Sequence, residues 1–231
     1  MHPNGSFRWE DREAMRAFAA EIGFGMLFLT TPDGPRVAHL PFVFSDDDRI
    51  AFHIARGNAL TKHLDGAEGL FVINGPDGYI SPDWYGTPDQ VPTWNYVALE
   101  LQGLVRKMDE AALIAQVDAL SDNQETRLAP KPVWTRDKMT DGYFDKLLRG
   151  IAGFEMTVTA WRSTLKLGQN KSAEVRMAAA DGAEAAGNRA IAHLMRVLPS
   201  PLGEGSGVGL VSQAQPSPIS PTPTPPLKGR G

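Results

Sequence analysis

The stretch FHIARGNALTKHL contains the clearest candidate for an anion-binding site. Its first half alternates like a strand that ends near Ala55, and its second half is typical of a short helix capped by Asn58. The free amides at such a helix start attract anions, and Arg56 and Lys62 would add positive charge for a phosphate. His53 and the Asn58 amide complete the candidate site. The same residues also fit an ordinary strand, turn and helix with surface cations.

A second candidate lies in the stretch STLKLGQN, where Lys166, Gln169 and Asn170 follow an alternating strand. Carboxamides both donate and accept hydrogen bonds, so this cluster is suited to the edge of a flat heterocycle. The alternative is a strand that frays into a polar turn before the next helix.

Aromatic side chains are concentrated in two neighbouring stretches, GPDGYISPDWY and VPTWNY. Two interpretations are open. The aromatics form part of a β-sheet core, or they line a flat ring, in which case Trp94 and Asn95 are the candidate binding residues.

The sequence contains no cysteine, which excludes disulfides, thiolate catalysis and cysteine-ligated metal sites. His39 lies in an apolar strand, and the histidines lack the spacing of metal ligands, so no metal site is predicted. The sequence also lacks a nucleophile elbow, a Walker loop and a dinucleotide fingerprint. Any reaction would therefore depend on a bound cofactor.

The elements that would position these residues are mostly β-strands. An amphipathic helix is predicted over residues 10–22, a hairpin turn at Asp33 and Gly34, and a bulge at Gly103. Further helices are predicted between the later strands and over residues 172–198. About six strands, mostly antiparallel and without regular crossover helices, favour a small barrel over a doubly wound parallel sheet. The predicted class is therefore mainly β (α+β), with peripheral helices.

Composition divides the chain into one folded domain, residues 1–198, and a tail, residues 199–231, that is rich in proline and glycine and predicted to be disordered. The N-terminus lacks a signal-peptide pattern and no window is apolar enough to span a membrane, so a cytoplasmic protein is expected. The net charge of −4 does not support direct DNA binding.

Five motifs occur in order and at familiar spacing: HLPF, GPDGYISPDWY, VPTWNY, GFEMTVT and KLGQN. Together they resemble the PaiB family of FMN-binding negative transcriptional regulators, over residues 1 to about 180. The resemblance implies a split β-barrel that dimerises and holds FMN at the subunit interface. It also implies that the strand RVAHLP and the turn around Arg56, Asn58 and Lys62 hold the cofactor.

The sequence departs from the family pattern at six positions: Gly57, Ala59, Thr61, Asp77, Gly78 and Gly168. The first three change an ANP motif and the aromatic residue that usually follows it. The next two replace a histidine and an alanine, and the last replaces a serine. Each change is expected to weaken FMN binding or to alter the ligand. Repulsion between carboxylate and phosphate predicts that Asp77 lies outside the phosphate site.

Three functions are consistent with the sequence. The first is an FMN-binding negative regulator of transcription that acts as a homodimer. The second is a flavin-dependent oxidoreductase, of the NAD(P)H:flavin reductase or oxidase type, acting on a small molecule. The third is a haem-binding split barrel with His39, His53 or His63 as axial ligand.

Overall fold

The computed structural model describes residues 2–197, so the tail predicted for residues 199–231 lies outside the described part of the chain. Within that part, six antiparallel strands close into a barrel in the order β1-β2-β3-β6-β5-β4. The strands are β1 (Phe24–Thr31), β2 (Gly34–Phe44), β3 (Arg49–Ala55), β4 (Glu68–Ile80), β5 (Thr93–Lys107) and β6 (Ile151–Lys166). The predicted fold class, a mainly antiparallel β-barrel with peripheral helices, is confirmed.

Five α-helices surround the barrel in the described residues: α1 (Arg12–Ile22), α2 (Glu110–Thr126), α3 (Tyr143–Leu148), α4 (Ala173–Ala185) and α5 (Arg189–Val197). The longer ones begin as capping rules predict, because Asp11 and Asp109 each accept a hydrogen bond from a backbone N–H in the first turn. None of the helices in residues 2–197 combines the length and the apolar composition that a membrane crossing requires.

The barrel interior follows from strict alternation along the strands. On β5 the side chains of Val97, Leu99 and Leu101 are buried, whereas the residues between them face outward. The predicted irregularity at Gly103 is confirmed, since the β5–β6 register shifts between Gln102 and Gly103. A Cβ atom at Gly103 would lie 2.0 Å from the Thr157 carbonyl oxygen, so the close approach of the two strands requires glycine. Four phenylalanines fill the centre: Phe42, Phe52, Phe71 and Phe154.

The β1–β2 hairpin is joined to the rest of the barrel by two short stretches of strand pairing. β1 pairs with β4 over residues 26–28 only, and β2 pairs with β3 over Phe42–Phe44 only. Beyond Phe42, β2 continues alongside β1 back to Gly34, while β3 continues alongside β6 to Ala55. The sheet is therefore split between β2 and β3, and this split leaves part of the β2 backbone edge unpaired.

The remaining helices cover two regions of the barrel. α2 packs against the outer side of β2, β3 and β6, and the α4–α5 pair packs on β4 and on a 3₁₀ helix, Pro82–Tyr85. The contact of α5 with β4 is close, because a Cβ atom at Gly78 would lie 2.9 Å from Ile191 Cγ2. The alanine that is usual at this position would therefore crowd α5.

Candidate flavin site

The turn from Arg56 to Lys62 carries several donors that no described residue uses. The Arg56 backbone N–H bonds to the Gly150 carbonyl at 2.9 Å and its Nε to the Arg149 carbonyl at 3.0 Å, which leaves the two terminal guanidinium nitrogens free in the described structure. Lys62 is exposed and has no hydrogen-bond or ion-pair partner among residues 2–197. Both cations therefore point their charge toward solvent beside the barrel.

The helix predicted after Asn58 is shorter in the structure than expected. The structure has only a three-residue 3₁₀ helix, Thr61–His63, preceded by Leu60, whose side chain provides no cap. Asn58 closes the turn instead, because its Oδ1 accepts from the Leu60 N–H at 2.9 Å. So short a helix has little dipole, and the attraction for an anion must come from the two cations and from backbone amides.

Two such amides are available in the turn. The N–H groups of Gly57 and Ala59 have no acceptor among the described residues, whereas those of Asn58, Leu60 and Thr61 are bonded. The two free N–H groups lie on either side of the bonded Asn58 N–H and are hydrogen-bond donors for an anion. Gly57, which replaces an alanine, keeps the backbone donor at its position, whereas Ala59, which replaces a proline, adds one, because proline has no N–H.

The unpaired edge of β2 lies across the split from this turn. Even-numbered residues of β2 bond to β1, as shown by the 3.0 Å bond from the Phe42 N–H to the Gly23 carbonyl. Because neighbours in an antiparallel strand point to opposite sides, Val37 and His39 direct their backbone N–H and C=O toward the split. Extending the β2–β3 register places His39 opposite Ala55, next to the turn. A flat heterocycle with alternating donors and acceptors could pair with this edge.

The His53 side chain faces outward from β3 and lies under α2. Its Nδ1 is 2.9 Å from Gln116 Oε1, and Gln116 is buried. The Gln116 Nε2 atom is buried without a partner among the described residues. His53 is therefore held by α2 beside the split, and its ring is less accessible than that of exposed His39.

The aromatic residues form a separate cluster at the junction of β4 and β5. Trp94 is 52% exposed, and its indole Nε1 donates to Asp77 Oδ1 at 2.8 Å. Tyr79 packs edge-on against both Trp94 and Trp84. The Asp77 that replaces a histidine thus anchors an indole, away from the cationic turn.

The other residues predicted at this end have local partners. Asn95 is 1% exposed and its Nδ2 contacts Met195 Sδ at 3.4 Å. Lys166 donates to Thr93 Oγ1 at 2.6 Å, and burial lowers the pKa of its ammonium below the ordinary value. The Gln169 side chain accepts from the Leu167 N–H through Oε1 at 2.8 Å and donates to the Leu165 carbonyl through Nε2. Both bonds stabilise the turn that contains Gln169. Asn170 is exposed.

The predicted site residues therefore form two groups at opposite ends of the barrel. His39, His53, Arg56, Asn58 and Lys62 lie around the split, where β6 begins, and Trp94, Asn95, Lys166, Gln169 and Asn170 lie where β6 ends. β6 has 16 residues, a contour of roughly 50 Å at ~3.3 Å per residue, and the two groups lie near its opposite ends.

Pro41 has no N–H to donate, which predicts that its strand lies at a sheet edge or carries a bulge there, and β2 changes its pairing from β1 to β3 at this residue. Sequence reasoning missed the packing of α4–α5 on the barrel. Gly168, which replaces a serine, has a φ of +82°, a backbone conformation that favours glycine.

The fold, a β-barrel split between β2 and β3, also occurs in solved structures of other proteins. Solved structures similar to the chain include the FAD and haem binding protein from Mycobacterium smegmatis (TM-score 0.51, 18% identity, covering 69% of this chain and 73% of that one). They also include the flavocytochrome Anf3 from Azotobacter vinelandii (TM-score 0.53, 17% identity, covering 72% of each chain). At these identities the similarity establishes the architecture.

The sequence comparison defines the family. A family model described as "Putative FMN-binding domain" matches residues 1–160, and the chain belongs to this FMN-binding family. It is 29% identical over 170 residues to the "Protease synthase and sporulation protein PAI 2" of Bacillus subtilis strain 168, covering 72% of this chain and 81% of that protein. It is 30% identical over 158 residues to "Uncharacterized protein AN0679" of Emericella nidulans, covering 61% of this chain and 62% of the fungal protein. The predicted PaiB resemblance and the FMN cofactor are confirmed.

The residues around the split fit FMN. Its phosphate is a dianion, which suits two cations and two free amides, and its ring edge carries donors and acceptors that match an unpaired strand edge. Arg56, Lys62 and the amides of Gly57 and Ala59 would hold the phosphate, and the backbone of Val37 and His39 would face the ring.

Proposed function

We propose that the chain acts as an FMN-binding homodimer in negative regulation of transcription, with one FMN in each split between β2 and the turn of residues 56–62. The observation that carries the flavin site in this proposal is the unpaired β2 edge at Val37 and His39 opposite a turn with two free cations. Bound FMN would supply redox chemistry, while the chain orients the ring and neutralises the phosphate.

An apolar patch beside the split supports the homodimer. Phe28 and Val37 are paired across β1 and β2, and they are 37% and 44% exposed. Phe24 is exposed on the same outer face, where Leu70 and Val72 of β4 are half-buried. A patch of this kind on a soluble barrel favours association, and a two-fold axis would bury it against its own copy. The partner would then cover the His39 side of the split and shield the ring from water.

The regulatory role is supported by the resemblance to PaiB and by the name of the Bacillus relative, a protease synthase and sporulation protein. The net charge of −4 argues that the chain does not read DNA directly. Regulation through a partner protein or through flavin-dependent metabolism is consistent with both observations.

The regulatory proposal is tested in a strain that lacks the gene. Transcript levels of repressed genes are expected to rise on deletion and to return to normal on complementation with the wild-type gene. Complementation with Arg56→Ala combined with Lys62→Ala is expected to fail at equal protein abundance, because repression requires the bound flavin. An unchanged transcript profile after deletion would overturn the regulatory role and would leave FMN binding untouched.

An oxidoreductase function is favoured by one observation, the exposed His39 beside the split. An imidazole can donate and accept a proton, so its position next to a flavin ring suits proton-coupled reduction of a small molecule. Sustained oxidation of NAD(P)H by the FMN-loaded protein, abolished by His39→Ala, would favour this function over regulation. A strong Soret band in the purified protein would instead favour the haem-binding alternative.

A further inference from the structure

A cavity outside the barrel, between α2, α3 and residues 133–139, belongs to no site described above. Its volume is about 250 Å³. We call it the α2–α3 cavity. Its wall is mainly apolar and includes Trp134, Met139, Phe144, Leu147, Leu148 and Ile151. Large apolar side chains arranged around unfilled space form a binding surface, because an apolar ligand would remove them from water.

The size of the α2–α3 cavity limits the ligand. An apolar cavity of about 150 Å³ in another protein binds benzene, and this cavity is larger at about 250 Å³. It therefore fits one or two fused rings with a short side chain. The rings of Trp134 and Phe144 line the wall, so a planar aromatic ligand can stack or pack edge-on against them.

A second cavity, which we call the mouth, adjoins the first. It has a volume of about 350 Å³ and is lined by Asp118, Asp122, Arg136 and Asp137 together with Trp134. Asp118, Arg136 and Trp134 line both cavities. The Arg136 guanidinium bonds to Asp118 at 3.3 Å and lies 5.0 Å from the centre of the Phe144 ring.

The charge at this mouth favours a cation. Three carboxylates face one guanidinium, and one of the three, Asp118, is already paired with it. Asp122 and Asp137 have no ion-pair partner among the described residues. Arg136 and Lys138, whose ammonium donates to the Val133 carbonyl in the wall of this cavity, leave the three carboxylates in excess. The net negative charge favours a cationic ligand over a carboxylate or phosphate.

We infer that the α2–α3 cavity binds an arylalkylamine, with the aromatic ring against Trp134 and Phe144 and the ammonium group beside Asp122 and Asp137. The site is distinct from the proposed FMN site, whose phosphate needs cations. The two are neighbours, because Arg149 at the end of α3 accepts the hydrogen bond from Arg56 and Ile151 pairs with Ala55. The inference does not depend on FMN binding.

Calorimetric titration of the full chain, with and without saturating FMN, tests the inference. Tryptamine is the probe, with indole-3-propionate as the anionic analogue, 3-methylindole as the neutral one and butylamine as the amine without a ring. Tryptamine is expected to bind saturably with or without FMN. Indole-3-propionate is expected to bind at least about tenfold more weakly, because the mouth repels it.

Two variants assign any binding to this cavity. Asp122→Asn combined with Asp137→Asn is expected to weaken tryptamine about three- to tenfold and to leave 3-methylindole unchanged, since only the charged group loses its partners. Met139→Trp, which fills the cavity, is expected to abolish binding of both. An FMN titration that is unchanged from wild type shows that a variant is folded. If Met139→Trp does not fold, the test rests on the Asp122→Asn and Asp137→Asn double variant. Equal affinity for tryptamine and indole-3-propionate, or no saturable tryptamine binding at ~10 mM, would overturn the inference, whether or not the chain binds FMN.

Discussion

Replacing Arg56 and Lys62 together by alanine is expected to abolish FMN retention without unfolding the barrel. A hydrogen bond to a charged group contributes about 1.5–3 kcal/mol, so the two side chains together account for at least ~100-fold in affinity, at 1.4 kcal/mol per factor of ten. Both side chains are exposed, and within the described residues the double variant removes one hydrogen bond, from Arg56 Nε to the Arg149 carbonyl. The stability of the barrel should therefore change little.

Flavin fluorescence titration measures the affinity, and a thermal melt checks the fold. The matched control is Arg8→Ala combined with Arg189→Ala, which removes the same net charge at exposed positions outside the turn. The control should bind FMN like the wild-type protein, because screening in salt leaves only nearby charges effective. If the Arg56 and Lys62 variant keeps full flavin occupancy, the phosphate does not lie at this turn.

The second large effect is expected at the apolar patch. Phe28→Asp combined with Val37→Asp should convert the homodimer to a folded monomer, since two carboxylates would have to be buried at the interface without partners. We expect at least a ~100-fold rise in the dissociation constant, because each buried unpaired charge costs several kcal/mol. Both positions are partly exposed in the single chain, so the fold itself should tolerate the change.

Sedimentation velocity at several protein concentrations measures the dissociation. Val91→Asp combined with Leu128→Asp is the matched control, because these residues are 71% and 52% exposed and lie outside the patch. FMN affinity should fall in the Phe28 and Val37 variant, since the partner no longer shields the ring. A wild-type chain that sediments as a monomer, or a variant that stays dimeric, would contradict the proposed interface.

The architecture could be predicted from the sequence because its signals are local. Alternation fixed the inner face of β5 at Val97, Leu99 and Leu101, and a glycine in an alternating run located the bulge at Gly103. The acidic residues that open the stretch DEAALIAQVDAL indicated a helix there, and α2 begins directly after Asp109. Each of these signals depends on residues close together in the chain, so no tertiary information was needed.

The candidate site could be predicted only in part, because its geometry depends on long-range pairing. Residue types at Arg56 and Lys62 indicated an anion. Pro41 indicated an edge or a bulge in β2, but no local pattern gives the extent of its pairing with β3. No local sequence feature indicates that Lys166 and Arg56 belong to different sites, although the barrel places them at opposite ends. Gln169 looked suited to a heterocycle, yet its carboxamide is used by its own backbone turn.

The visible absorption spectrum of the purified protein during titration with FMN, repeated with riboflavin, tests the central claim most directly. The account predicts a flavin spectrum that saturates at one FMN per chain and an affinity for riboflavin at least ~100-fold weaker, because riboflavin lacks the phosphate that the cationic turn binds. A colourless protein that takes up no added FMN would contradict the account, and so would equal affinity for the two flavins.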